Sequence, residues 1–142
     1  MKRHSLAVIG AGSRGWGMAR LAAQHSPRAQ ISAVADPVSA HRDAFAKEHS
    51  IPQERCFETH TELLRRCPDL DGVLITSPVF THARIACDCL EDGVPVFLEK
   101  PMALNLAEAK RIVQTAERTG VRLQIGFNCR YAPFYVTLKQ IV

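Results

Sequence analysis

Long apolar runs are missing from this chain. Its uninterrupted apolar stretches last only a few residues, against the ~20 that a membrane-spanning helix needs, so no membrane segment is expected. Cysteines are few and poorly spaced for chemistry. There are five, Cys56, Cys67, Cys87, Cys89 and Cys129, an odd number with no C-x-x-C pair, which argues against a disulfide framework and against a zinc site. They are read as small apolar residues in a reduced compartment, and no metal is expected. Low-complexity tracts, charge runs and internal repeats are also absent. The basic residues behind the net charge of +4 are scattered. Aromatic residues do not interleave with them as a single-strand binder requires, so no nucleic-acid partner is expected.

The opening "MKRHSLAVIGAG" sets basic residues before a short run, Ser5 to Ile9, that meets glycine after five residues, and no small-residue cleavage site follows. It reads as a first strand rather than a signal peptide, and a cytoplasmic protein is expected. A chain of 142 residues has room for about one domain.

What is present is alternation. The buried-strand runs "SLAVIG", "AQISAVA", "DGVLITS", "VPVFLE" and "VRLQIGF" recur along the chain. Helical stretches separate them: Ala19 to Gln24, Val38 to His49, Thr61 to Arg66, Ala83 to Glu91 and Ala107 to Arg118. Thr59 with Glu62, and Asn105 with Glu108, have capping-box spacing, while Gly93 and Gly120 stand where helices should stop. A minor strand around Cys56 and Phe57 brings the count to about six. The expected fold is α/β, a doubly wound, mostly parallel sheet with helices on both faces, which binds ligands at the carboxyl ends of its strands.

"VIGAGSRGWG" places Gly10, Gly12 and Gly15 in G-x-G-x-x-G spacing between the first strand and the first helix. Gly10 serves the tight turn, Gly12 admits a pyrophosphate to the backbone, and Gly15 permits close helix packing. The helix start, with Ser13 and Arg14, offers N–H groups to the phosphates. Asp36 ends the second strand 21 residues beyond Gly15, about where an acid hydrogen-bonds the adenine ribose. It would repel a 2′-phosphate, so NAD is expected in preference to NADP. Asp36 before Pro37 also fits a helix N-cap followed by proline at the first helical position. Arg14 and Arg42 are by default solvated, and they leave room for NADP.

Taken in order, "GAGSRG", "VADP", "DGVLITSPVFTHARIA", "VPVFLEKPMALNLAEAKRI" and "VRLQIGFNCRYAPFY" resemble the amino-terminal cofactor domain of the Gfo/Idh/MocA oxidoreductases. The resemblance implies a dinucleotide-binding domain over residues 1–130, with residues 131–142 beginning a linking helix to a second, substrate-binding domain. It implies that Thr76, Ser77 and Pro78 lie against the dinucleotide, followed by His82 at a helix start, where capping or surface exposure is the alternative role. Many members carry asparagine where this chain has Val79. Glu99 resembles the residue that holds the nicotinamide end, and Lys100 the active-site lysine. Asn128 belongs to a segment that approaches the cofactor, with Arg130 and Tyr131 toward the substrate; Arg130 could equally pair with a carboxylate.

The activity so implied is hydride transfer between a nicotinamide cofactor and a sugar, inositol or related polyol. Two other readings are a dinucleotide-binding or sensing module without turnover, and a glycosidase that uses NAD for transient oxidation. In any of them the chain looks like half of an active site, inactive alone, whose exposed tail could drive homo-oligomerisation. Pro101 biases Lys100 away from helical geometry and ends the strand there. The resemblance also implies a cis Lys100–Pro101 bond. A Glu99 carboxylate near the Lys100 amine would favour its charged form, while a solvated charge pair is the alternative for these two residues.

Overall fold

A strand buried on both faces cannot alternate polar and apolar residues, and the carboxyl halves of the central strands of this protein do not. In the computed structural model, which describes residues 3–141, β1 (His4–Ile9), β2 (Ala29–Ala35) and β4 (Gly72–Ile75) end in runs of buried residues. Residues 1, 2 and 142, the outer limits of the two expected segments, lie outside the described residues. With β3 (Cys56–Phe57), β5 (Val96–Leu98) and β6 (Leu123–Ile125) the sheet has the order β3-β2-β1-β4-β5-β6, and every pairing is parallel. The order turns around between β1 and β4, which opens a crevice at their carboxyl ends.

The pleat of β1 sends successive side chains to opposite faces. Ala7 and Ile9 face a core filled by α3 (His60–Arg66), α4 (Val79–Glu91) and α5 (Leu106–Thr119), through Leu63, Leu90 and Ile112. Val8 faces a second core, where α1 (Ser13–His25) and α2 (Ser39–His49) contribute Ala19 and Phe45. The last helix, α6 (Pro133–Ile141), follows a 3-10 turn over Asn128–Tyr131 and buries none of its residues.

Helix ends follow the local chemistry. The Thr59 hydroxyl accepts the Glu62 N–H at 3.2 Å, and the Asn105 side chain accepts the Glu108 N–H at 2.9 Å. The return bond of the second box is displaced: Glu108 accepts from Leu104, one residue before the cap. Gly120 ends α5 at φ 69°, and Gly93 turns the chain after α4 at φ 78°. The helix placed at Ala83 in the sequence reading starts a turn earlier, at Val79, because Pro78 takes the N-cap position and its carbonyl accepts the Thr81 N–H.

Phe45 is fully buried, edge-on to Trp16 with ring centroids 5.4 Å apart and 4.5 Å from the His49 ring. Burial lowers the His49 pKa from its ordinary value, opposed by Glu48 and assisted by Arg20, and its Nε2 is buried without a hydrogen-bond partner. The unfolded chain therefore takes up this proton first as pH falls. Stability carried by neutral His49 is complete above about pH 6.5 and is lost as pH drops from there through the lowered folded value. His49→Gln is expected to flatten the acid side of a plot of urea midpoint against pH; an unchanged slope would contradict it.

Cys67, Cys87 and Cys89 are buried, Cys56 is partly buried and Cys129 is exposed. Burial raises the Cys56 and Cys67 thiols and, with the nearby charges of Asp88 and Asp92, pushes Cys89 up to about 12. Among the described residues no helix is long and apolar enough to cross a membrane.

Candidate cofactor crevice

Two adjoining pockets lie along the strand ends. The larger, about 640 Å³, is lined by Gly10, Gly12, Ser13 and Asp36 on one side and by Pro78, Phe80 and Arg84 on the other. The smaller, about 530 Å³, holds Val79, His82, Glu99, Lys100, Pro101 and Asn128. Arg14, Thr76 and Ser77 line both, so the two form one trough across the switch point.

The glycine loop is built by close approach. Gly10 sits at φ 97°, where a Cβ would lie 2.6 Å from the Ser77 nitrogen, and a Cβ on Gly15 would lie 2.2 Å from the Gly10 carbonyl oxygen. The Thr76 hydroxyl donates to that same carbonyl at 2.7 Å, joining the loop to the end of β4. Gly12 differs, because an added Cβ would meet nothing within 4 Å. It is the N-cap of α1, and neither a side-chain cap nor a first-turn acid occupies that helix start. Free N–H groups, a helix dipole and open space above Gly12 suit a pyrophosphate, so the residues present fit a dinucleotide.

Asp36 is buried, and its carboxylate accepts the Ala11 N–H at 2.7 Å and the Val38 N–H at 2.8 Å. The capping role is corrected. Helix α2 begins at Ser39, with Val38 and not Asp36 in the N-cap position. A turn closed by the Asp36 carboxylate on Val38 intervenes, as aspartate side chains do when they bond the backbone two residues on. Each oxygen keeps a lone pair for a ribose hydroxyl. Arg42 is not solvated either: its guanidinium donates to the Asp36 carbonyl at 2.7 Å.

At the other end, Glu99 is 4% exposed, so the solvated charge pair is also corrected. Its acid does not go to the Lys100 amine. One oxygen accepts from Arg14, whose Nε donates at 2.7 Å and whose Nη2 meets the same atom. The other accepts the backbone N–H of Lys100 at 2.8 Å. Gly126 lets β6 pass close by, since a Cβ there would lie 3.1 Å from Glu99. The Lys100–Pro101 bond is cis, as the resemblance implied.

His82 falls in the first turn of α4, as the resemblance implied, but it neither caps that helix nor lies on the surface. It is 2% exposed within α4, and its two ring nitrogens lie 2.9 Å from the Pro101 and Ser77 carbonyl oxygens, linking the loops after β4 and β5. Its place between a strand end and polar neighbours concealed this in the sequence. Arg130 and Tyr131 are exposed on the 3-10 turn outside both pockets, and among the described residues Arg130 meets no carboxylate.

A family profile described as an oxidoreductase family with an NAD-binding Rossmann fold, GFO_IDH_MocA, matches residues 4–127. This chain belongs to the Gfo/Idh/MocA family. Among relatives of this Gfo/Idh/MocA domain, scyllo-inositol 2-dehydrogenase (NAD(+)) of Bacillus subtilis is 34% identical over 94% of this chain and 38% of its own length. The apo scyllo-inositol dehydrogenase of Lactobacillus casei superposes with a TM-score of 0.88 at 26% identity, over 99% of this chain and 41% of its own. GenD2 from gentamicin A biosynthesis, solved in complex with NAD, also gives 0.88, at 27% identity, over 99% and 39%. The chain thus spans about 40% of the length of the relatives it matches. Its cofactor class is NAD, as the family description has it.

Several crevice residues were not singled out in the sequence. His41, Glu58, His60, Phe80 and Arg84 line the Asp36 end of the trough, and His60 Nε2 lies 2.8 Å from Asp88. Most of them sit within a turn of a helix start that follows a strand end, a signal the topology itself supplies.

Proposed function

We propose that this chain is the cofactor-binding part of an NAD-dependent dehydrogenase that oxidises a carbinol of a sugar, inositol or related polyol. The observation that carries the reading is the continuous trough from Asp36 to Lys100 across the switch point. The adenosine half belongs over β2, beside Asp36, and the other nucleotide over β4 and β5, beside Glu99 and Lys100. When bound, the nicotinamide supplies the hydride acceptor. Lys100 holds or takes the hydroxyl proton of the substrate, since a base or donor must sit beside the reacting carbon. Glu99 fixes the Lys100 backbone through its N–H, while His82 holds Ser77 and Pro101, so both sides of the pocket are anchored without occupying the amine. Thr76, Ser77 and Pro78 form the floor under the dinucleotide, and Asn128 closes the pocket from the β6 side.

Residues 1–130 are the dinucleotide-binding unit in this reading, and residues 131–142 begin a link to substrate-binding structure. The exposed Phe134, Tyr135, Leu138 and Ile141 support a packing surface there, for further polypeptide or for a homo-oligomer. The free cysteines fit a reducing, cytoplasmic setting. Arg130 and Tyr131 lie beyond the pocket, where they would meet substrate rather than cofactor.

Titration calorimetry with NADH and NADPH tests the reading. The chain is expected to bind NADH more tightly than NADPH, and the reverse order would contradict the role of Asp36. Asp36→Ala removes a charged acceptor and loosens the Ala11 N–H, so NADH should weaken by about 10- to 100-fold, with NADPH affected less. For the enzyme, polyol-dependent NADH formation is the deciding assay.

A further inference from the structure

Arg14 and Glu99 lie 85 residues apart in sequence, one in the turn that receives phosphate and the other at the end of β5, and they meet across the trough. Glu99 is almost wholly buried, whereas the Arg14 side chain is 46% exposed and lines both pockets. A buried carboxylate facing a nicotinamide has a consequence for redox state. The oxidised ring carries a positive charge and the reduced ring does not, so a bare carboxylate favours the oxidised cofactor while a cation beside it favours the reduced one.

We propose that the Arg14–Glu99 ion pair sets the relative affinity of this site for NAD⁺ and NADH. Within the smaller pocket the charged or titratable side chains are Arg14, Glu99, Lys100 and His82. His82 is held by two backbone carbonyls. Lys100 is exposed, and its backbone N–H, not its amine, meets Glu99. Arg14 is therefore the counter-charge that Glu99 has, and the pair presents a near-neutral surface to the ring. The diphosphate is identical in both redox states. Whatever Arg14 contributes to phosphate binding cancels in the ratio of the two dissociation constants, and only its effect on the ring remains. The inference rests on the placement of the nicotinamide half over β4 and β5.

The test is titration calorimetry of this chain with NAD⁺ and with NADH, for the parent and for Arg14→Gln, Glu99→Gln and the double variant. Arg14→Gln leaves the carboxylate uncompensated and should shift the ratio toward NAD⁺ by about tenfold, given one unit charge at a partly screened site. Glu99→Gln keeps an oxygen for the Lys100 N–H, leaves Arg14 unmatched, and should shift the ratio toward NADH by a similar factor. The double variant should return to near the parent ratio. Equal weakening of both ligands in each single variant, with the ratio unchanged, would overturn the inference while leaving the cofactor reading intact. No binding of either ligand by the parent chain would overturn the placement of the cofactor and the inference with it. Because the single variants move the ratio in opposite directions, a general loosening of the fold cannot imitate the result.

Discussion

Gly15→Ala is expected to abolish measurable NADH binding and lower the melting temperature by about 10 °C, from an overpacking cost of about 3 kcal/mol. The effect does not come from backbone freedom, since Gly15 is not among the glycines at positive φ. It comes from space. The new methyl would lie 2.2 Å from the Gly10 carbonyl oxygen and 2.9 Å from the Thr76 hydroxyl, on the hydrogen bond that fastens the glycine loop to β4. Both atoms belong to backbone or to a short side chain, so neither can yield without moving α1 or the loop. Gly17→Ala is the control within the same helix. A Cβ at Gly17 meets nothing within 4 Å, and alanine in a helix interior gains about 1 kcal/mol over glycine. That variant should be neutral or stabilising and should bind NADH as the parent does. Equal behaviour of the two variants in calorimetry and thermal melts would refute the close-approach role of Gly15.

Lys100→Ala has the largest expected effect on chemistry. Removing a positioned proton-transfer group typically costs about 10²- to 10⁴-fold in rate, and kcat of the full-length enzyme should fall by that range. NADH affinity should stay within about threefold, because truncating the amine leaves both the Lys100 N–H to Glu99 and the peptide bond to Pro101 in place. Stopped-flow measurement of the hydride step, with calorimetry for the cofactor, separates the two quantities. Unchanged turnover would remove Lys100 from the mechanism. A large loss of cofactor affinity with unchanged chemistry would make it a binding residue.

Periodicity and punctuation made much of this fold legible. Apolar runs bounded by glycine and polar turns gave each strand, and side-chain caps such as Asn105 gave helix starts to within a residue or so. The fourth helix departs from this. Val79–Thr81 is a first-turn segment whose helicity depends on bonds to neighbours rather than on spacing. The Thr81 hydroxyl and N–H both bond the Pro78 carbonyl, so the boundary is set by polar geometry that spacing does not display.

The lining of the trough was legible in the sequence and its wiring was not. Gly10, Gly12 and Asp36 could be named from motif spacing, and Glu99 and Lys100 from the resemblance, and all five line the trough. That Glu99 would turn from the adjacent Lys100 amine to Arg14 could not, because the partner enters from the opposite side of the switch point, 85 residues away in sequence. Sequence adjacency suggested the wrong ion pair; parallel topology brought the right one together. His82 was obscured for a similar reason, since both of its polar neighbours are backbone carbonyls of separate loops and backbone atoms leave no mark in a residue pattern.

The edge-on contact of Trp16 with Phe45 has an optical consequence. Trp16 is the chain's single tryptophan, it follows Gly15 directly, and its ring leans on the core residue that joins α1 to α2. All indole emission therefore originates between the phosphate turn and the second core. A dinucleotide settling on Gly12 and a loosening of α2 would each alter that emission, the first in proportion to ligand and the second to denaturant. The protein carries an intrinsic fluorophore at the joint where its binding energy and its folding energy meet.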